Sequence, residues 1–114
     1  MRPEDRTRLR HMLDAGETVA QFIAGRRRED LDADRLLLFA VVRAIEVLGE
    51  AASKVSAEAR AAAPDIPWGT IVSMRNRLIH GYFDIDTTIV WKTVTEEIPD
   101  LLLRLRAVLG EGSA

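Results

Sequence analysis

The chain has 114 residues, 47% hydrophobic and 30% charged, with a net charge of −2 and no cysteine. That size and balance describe one globular domain, able to bury roughly two-thirds of its unfolded surface. The lack of thiols excludes a disulfide framework, thiolate metal sites and a cysteine nucleophile, and it suits a reducing compartment. The near-neutral charge excludes a surface coated for phosphate binding, so any nucleic-acid contact must come from a few placed arginines.

Residues 1–10 are charged and hold no apolar leader core, and no apolar run reaches membrane-spanning length. The expectation is a cytoplasmic protein that does not engage a membrane. The first helix is predicted from about Pro3 to Ala24, with Leu9, Met12, Leu13, Val19, Ala20 and Ile23 at helical spacing. Gly16 shares that stripe and predicts a close approach by a neighbouring helix. Gly25 to Asp30 reads as a charged loop, and its Arg26, Arg27 and Arg28 suggest a solvated turn or a weak RNA-tracking patch. His11, among charged residues, reads as a surface histidine.

A long second helix is expected from about Asp32 to Ala62, capped by Asp30 or Asp32 and stopped by Pro64. Leu38, Val41, Ile45, Leu48, Ala52 and Val55 form its heptad-like seam. Leu37, Ala40, Ala44, Val47 and Ala51 widen the apolar surface, so this helix is either central or shared with a second subunit. Arg43, Glu46, Glu50 and Lys54 lie on one side of it. They can form a ladder of ion pairs, Arg43 with Glu46 and Glu50 with Lys54. Alternatively Glu46 or Glu50 secures an arginine elsewhere, or the two carboxylates begin a metal site. The last is the weakest reading, because no histidine joins them at ligand spacing.

The third helix should start at Pro67 and end near Gly81. Tyr82 to Asp86 then make a short connection, with Asp86 as the cap of a fourth helix. That helix carries Val90, Val94, Ile98, Leu101, Leu105 and Val108 on one face. Pro99 should kink it or set off a fifth short helix, because proline removes a backbone donor. From Gly110 the tail should fray. Trp68 and Trp91 belong to the core or to a subunit interface. The whole predicts an all-α, up-and-down four-helix bundle.

One position breaks the pattern. At about 100° per residue, Trp68, Ile71, Val72, Leu78 and Ile79 fall on one stripe of the third helix, with Arg75 in its middle. A guanidinium there needs an anionic partner or a cleft open to a ligand. His80 lies near Asn76, one turn earlier, which could fix its ring tautomer. Arg75 and His80 stand about 140° apart on an ideal helix. They share a face only if the helix unwinds near Gly81, if the long Arg75 side chain spans the gap, or if two copies of the helix meet. The plainer alternative is an Arg–Glu pair and a histidine closing a helix end.

Residues Arg75-Asn-Arg-Leu-Ile-His80-Gly-Tyr82 resemble the signature of the HEPN superfamily, and the form Arg-x4-His-x-Tyr is similar to that of its HepT proteins. Ala44-Ile-Glu-Val-Leu-Gly-Glu-Ala-Ala52, Ile66-Pro-Trp-Gly69 and Val90-Trp91 agree with it, so the resemblance covers nearly all of a single domain spanning 1–114. It implies a metal-independent, cofactor-free endoribonuclease toxin acting as a homodimer, with Arg75 and His80 catalytic and Asn76 supporting. It further implies a minimal nucleotidyltransferase antitoxin of the MntA type that transfers AMP to Tyr82, and an RNA substrate such as tRNA. Tyr82 could instead be a rim aromatic packed on a second subunit. Arg43, Glu46 and Glu50 would stand behind the site. The alternative function is a non-catalytic helical adaptor that binds a nucleotidyltransferase or a nucleotide through Arg75.

Overall fold

The computed structural model describes residues 1–80 and 84–110, with His80 represented by its backbone. Helix α1 spans Pro3–Ile23. Pro3 suits a first turn, and Glu4 and Asp5 face the positive end of the helix dipole. Gly25, at φ +72, turns the chain out of it. Leu9, Met12, Leu13, Ala15, Gly16 and Val19 form its buried face.

The expected long second helix is three helices: α2 (Arg28–Ala33), α3 (Arg35–Ser53) and α4 (Ala57–Ala62). The break after α2 falls at Asp34, whose carboxylate accepts a hydrogen bond from Leu37 N at 3.1 Å and so caps α3 in place of Asp30 or Asp32. Asp30 instead accepts from Arg27 N at 2.8 Å, at the start of α2. The charged loop therefore shrinks to Gly25–Arg27. The second break is stabilised from a distance. Ser56 caps α4 by accepting from Ala59 N, and it donates its own N–H and hydroxyl to Asp5 at 2.8 and 2.7 Å. Asp5 is only 4% exposed.

Helix α3 lies centrally, packed on α1, α2 and α5. Leu37, Val41, Val42, Ala44, Ile45, Leu48, Ala51 and Ala52 form its buried surface. Gly16 marks a tight junction: a Cβ there would lie 2.6 Å from Leu102 Cδ2 and 3.6 Å from Leu48 Cδ1. The predicted close approach thus involves α3 and the last helix together.

Helix α5 covers Trp68–Leu78 and stops earlier than expected. The chain then becomes extended in a two-residue strand β1 (Ile79–His80), paired antiparallel with β2 (Asp84–Ile85) through Ile79↔Ile85 and His80↔Asp84. Asp86 N donates to Leu78 O at 2.8 Å, closing the base of this hairpin. Asp86 also caps α6 (Thr87–Lys92) by accepting from Ile89 N, as its position in the sequence implies.

The last helical stretch continues as a π-helical turn, Thr93–Glu97, and then α7, Ile98–Leu109. Pro99 sits in the first turn of α7. A proline ring clashes with the carbonyl four residues earlier, here Thr95. A widened turn immediately before it relieves that clash, with Ile98 N reaching back to Thr93 O. The predicted perturbation therefore takes the form of a π turn. The fold is all-helical apart from the small hairpin, and among the described residues no helix is long and apolar enough to cross a membrane.

Candidate active site

The site is built where α3 and α5 run antiparallel. A Cβ on Gly49 would lie 3.4 Å from the Ile71 carbonyl oxygen, so the two backbones are close there. At about 1.5 Å of rise per residue, three residues back along α3 and four forward along α5 reach the same level. Those residues are Glu46 and Arg75. Arg75 Nε donates to Glu46 Oε2 at 3.1 Å. Of the two carboxylates that could hold Arg75, the structure selects Glu46.

Arg75 is not in the middle of a buried stripe. The buried residues of α5 are Ile71, Met74 and Leu78, whereas Val72 is exposed. The stripe is therefore centred on Met74, and Arg75 lies on its flank. This placement suits a fixed charge: the side chain is 52% exposed, and that of Glu46 is 25% exposed. The two residues line an open concavity of about 270 Å³ with Phe39, Val42, Ile79 and Ile85. Apolar walls around a guanidinium strengthen its pull on an anion, because they displace water from around the charge.

The backbone changes course between the two motif residues. Ile79 has φ −118 and ψ 119, so His80 follows Arg75 on extended chain. Of the three ways across the 140° gap, unwinding is present, and it begins at Ile79, ahead of Gly81. The same change removes the i, i+4 helical geometry by which Asn76 was expected to reach His80; Asn76 is exposed on α5. Tyr82 lies outside the described residues.

Other candidates resolve differently. Arg43 approaches Glu50 at 4.0 Å, two turns along α3, so the ladder pairing Arg43 with Glu46 does not form. Glu46 and Glu50 serve different arginines and do not converge as a metal pair. Among the described residues no group of three or more metal-ligating side chains comes together. Each residue of the basic run has a carboxylate: Arg26 with Asp34, Arg27 with Glu29 and Arg28 with Asp32. His11 is exposed. Trp68 donates its Nε1–H to Ala63 O at 3.1 Å, with the Arg60 guanidinium 5.6 Å from its ring, and Trp91 is partly buried against the core.

Sequence reasoning missed Phe39, Ile85, Arg77 and Glu97. Phe39 had a faint signal, since α3 carries more apolar residues than its inward seam needs. Arg77 and Glu97 had none, because their pairing, at 3.2 Å, is set by tertiary packing alone.

The site thus consists of a carboxylate-held arginine at an open concavity, beside a helix-to-strand switch. The comparisons with known proteins give the family. The profile of the family "Ribonuclease HepT-like" matches residues 12–108, and the chain belongs to that family. It is similar to a protein of Thermococcus cleftensis named "Probable ribonuclease HepT", 39% identical over 93 residues, which are 82% of this chain and 84% of that one. It is also similar to a protein of Caldanaerobacter subterraneus subsp. tengcongensis that carries the name of a putative RNase, 36% identical over 101 residues, 89% of this chain and 90% of that one. A third relative, similarly named, from Methanocaldococcus jannaschii is 33% identical over 93 residues, 82% and 85% of the two chains. No solved structure matches the chain.

Proposed function

We propose that the protein is a metal-independent endoribonuclease toxin in which Arg75 and His80 carry the reaction. The observation that carries this reading is the Arg75 guanidinium, held by Glu46 at the edge of an apolar concavity, with His80 following on extended chain. The family membership and the names of its relatives support it. The described residues lining the concavity carry no hydroxyl or thiol. RNA brings its own nucleophile, the 2′-hydroxyl.

In the reaction, the Arg75 guanidinium grips the phosphate oxygens and stabilises the charge that builds on them. His80 takes the 2′-hydroxyl proton or supplies one to the leaving 5′-oxygen, since an imidazole can serve as base or acid. The 2′-oxygen bonds to phosphorus as the P–O5′ bond breaks, leaving a 2′,3′-cyclic phosphate and a free 5′-hydroxyl. Asn76 contributes a polar contact to the phosphate.

The protein acts as a homodimer, with the motifs of two copies converging. Phe39 (51% exposed) lines the concavity, and Leu36 (81%) on α3 and Val72 on α5 are exposed as well. Exposed apolar side chains on these two helices suit a face covered by a second copy. One histidine then serves as base and the other as acid. The antitoxin is a minimal nucleotidyltransferase of the MntA type that transfers AMP to Tyr82. The added bulk and negative charge, two residues beyond His80, would compete with substrate for Arg75. Transfer RNA is the proposed substrate.

Expression in cells tests the toxin reading. The wild type alone should arrest growth, His80→Ala should not, and the nucleotidyltransferase should rescue growth while adding one AMP to Tyr82 by intact mass. Unimpaired growth with the unmodified wild type would turn the reading toward a non-catalytic adaptor.

A further inference from the structure

Arg77 follows Arg75 by two residues, about 200° around the helix, and so faces away from Glu46. Its Nη2 donates to Glu97 Oε1 at 3.2 Å, and the other oxygen of Glu97 accepts from Thr93 Oγ1 at 3.1 Å. Thr93 is completely buried. Thr93 and Glu97 are the first and last residues of the π turn, so one carboxylate joins that turn to the final turn of α5.

The arrangement is poor as a stabilising device. Arg77 Nε is buried and has no hydrogen-bond partner among the described residues. The side chains of the pair are 39% and 30% exposed, so solvent screens the attraction. An unsatisfied buried donor costs more than such a pair returns, and an apolar side chain of similar length would avoid that cost. Something other than stability must account for the arginine. Its location supplies the reason. Leu78, the next residue, accepts the Asp86 N–H that closes the hairpin, Ile79 leaves the helix, and His80 follows. π turns themselves recur at functional sites.

We propose that Arg77 and Glu97 form a positioning pair. It clamps the last turn of α5 to the π turn, which fixes where the helix ends and the direction in which the chain carrying His80 departs from Arg75. The proposal rests on the ribonuclease reading for its catalytic consequence, and its structural content stands apart from that reading.

The test compares the wild type with Arg77→Met, Arg77→Lys and Glu97→Gln in full-length protein. Three readouts are needed: thermal melting, kcat and KM on an RNA oligonucleotide, and hydrogen exchange of backbone amides. Arg77→Met should melt no lower than the wild type, with kcat down about 10- to 100-fold, since small misplacements of a reacting group cost that much, and with KM little changed. Arg77→Lys keeps a cation for Glu97 and should recover part of kcat, while Glu97→Gln should lose less than Arg77→Met. The Asp86 amide should exchange about ten-fold faster in Arg77→Met, with α1 and α3 unaffected. If the wild type cuts RNA and Arg77→Met cuts with the same kcat, the catalytic consequence is overturned while the ribonuclease reading survives. A large fall in melting temperature in Arg77→Met would make the pair structural and overturn the proposal. Should the wild type not cut at all, the exchange rate of Asp86 still decides whether the pair clamps the hairpin.

Discussion

Replacing Arg75 with alanine separates a catalytic arginine from a structural one. The Arg75–Glu46 bridge is 3.1 Å long but half open to water, with side chains 52% and 25% exposed. Such pairs contribute about 0–1 kcal/mol to folding. For a domain near this size, that corresponds to a melting-temperature drop of at most roughly 4–8 °C. A charged donor aimed at the phosphate in the transition state is worth far more. Losing one costs about 2.7–4 kcal/mol, a factor of roughly 10² to 10³ in kcat. Arg75→Ala should therefore melt within roughly 4–8 °C of the wild type yet cleave RNA about 10²- to 10³-fold more slowly. Initial rates on a fluorophore–quencher RNA oligonucleotide, with melting followed by circular dichroism, measure both effects. Glu46→Gln keeps the length of the acceptor but loses its charge, and it should fall between the two. Cleavage by Arg75→Ala within a few-fold of the wild type would refute the role given to this residue. A melting temperature lowered far beyond the expected range would show that the pair holds the fold together.

Three further outcomes follow from the packing. Gly16→Val places atoms where Leu102 Cδ2 already lies within 2.6 Å of a Cβ; overpacking of this kind costs about 1–3 kcal/mol, readable by urea unfolding. The Asp5 carboxyl is held below the usual carboxylate range, chiefly by the Ser56 N–H, then by the Ser56 hydroxyl, with Arg2 and the terminal amine adding to the effect. A lowered folded-state pKa contributes stability above the unfolded value of about 4 and loses it as pH falls through the folded value. Asp5→Asn should melt below the wild type at neutral pH, and the gap should close as pH drops below ~4; a gap that persists in acid would contradict this account. Phe39→Asp puts a charge on the exposed rim and should abolish the proposed dimer in sedimentation equilibrium, with activity falling in parallel.

Local signals explain what was legible in the sequence. Pro3 at the start of α1, Gly16 on its stripe and Asp86 at the start of α6 each act through neighbours in sequence or through steric size, and each was placed correctly. Arg75 stood out because a fixed charge among apolar residues would be costly if buried, and Glu46 was available as its partner. The division of the second helix was hidden, since residues 32–62 are helix-compatible almost throughout. One break is a local choice among three neighbouring aspartates, made by Asp34 with Leu37 N, and the other is tertiary, with Ser56 tied to Asp5, 51 residues away. The buried stripe of α5 is Ile71, Met74 and Leu78, at ordinary helical spacing, and the Arg77–Glu97 pair is made with the π turn. The pair leaves no periodic trace.

The most direct test of the central claim is cleavage of a tRNA mixture in EDTA by unmodified wild type and by His80→Ala, with intact mass confirming that Tyr82 is free. The account predicts cuts by the wild type alone, with 2′,3′-cyclic phosphate ends. Cleavage that requires added divalent metal, or equal cleavage by His80→Ala, would contradict it.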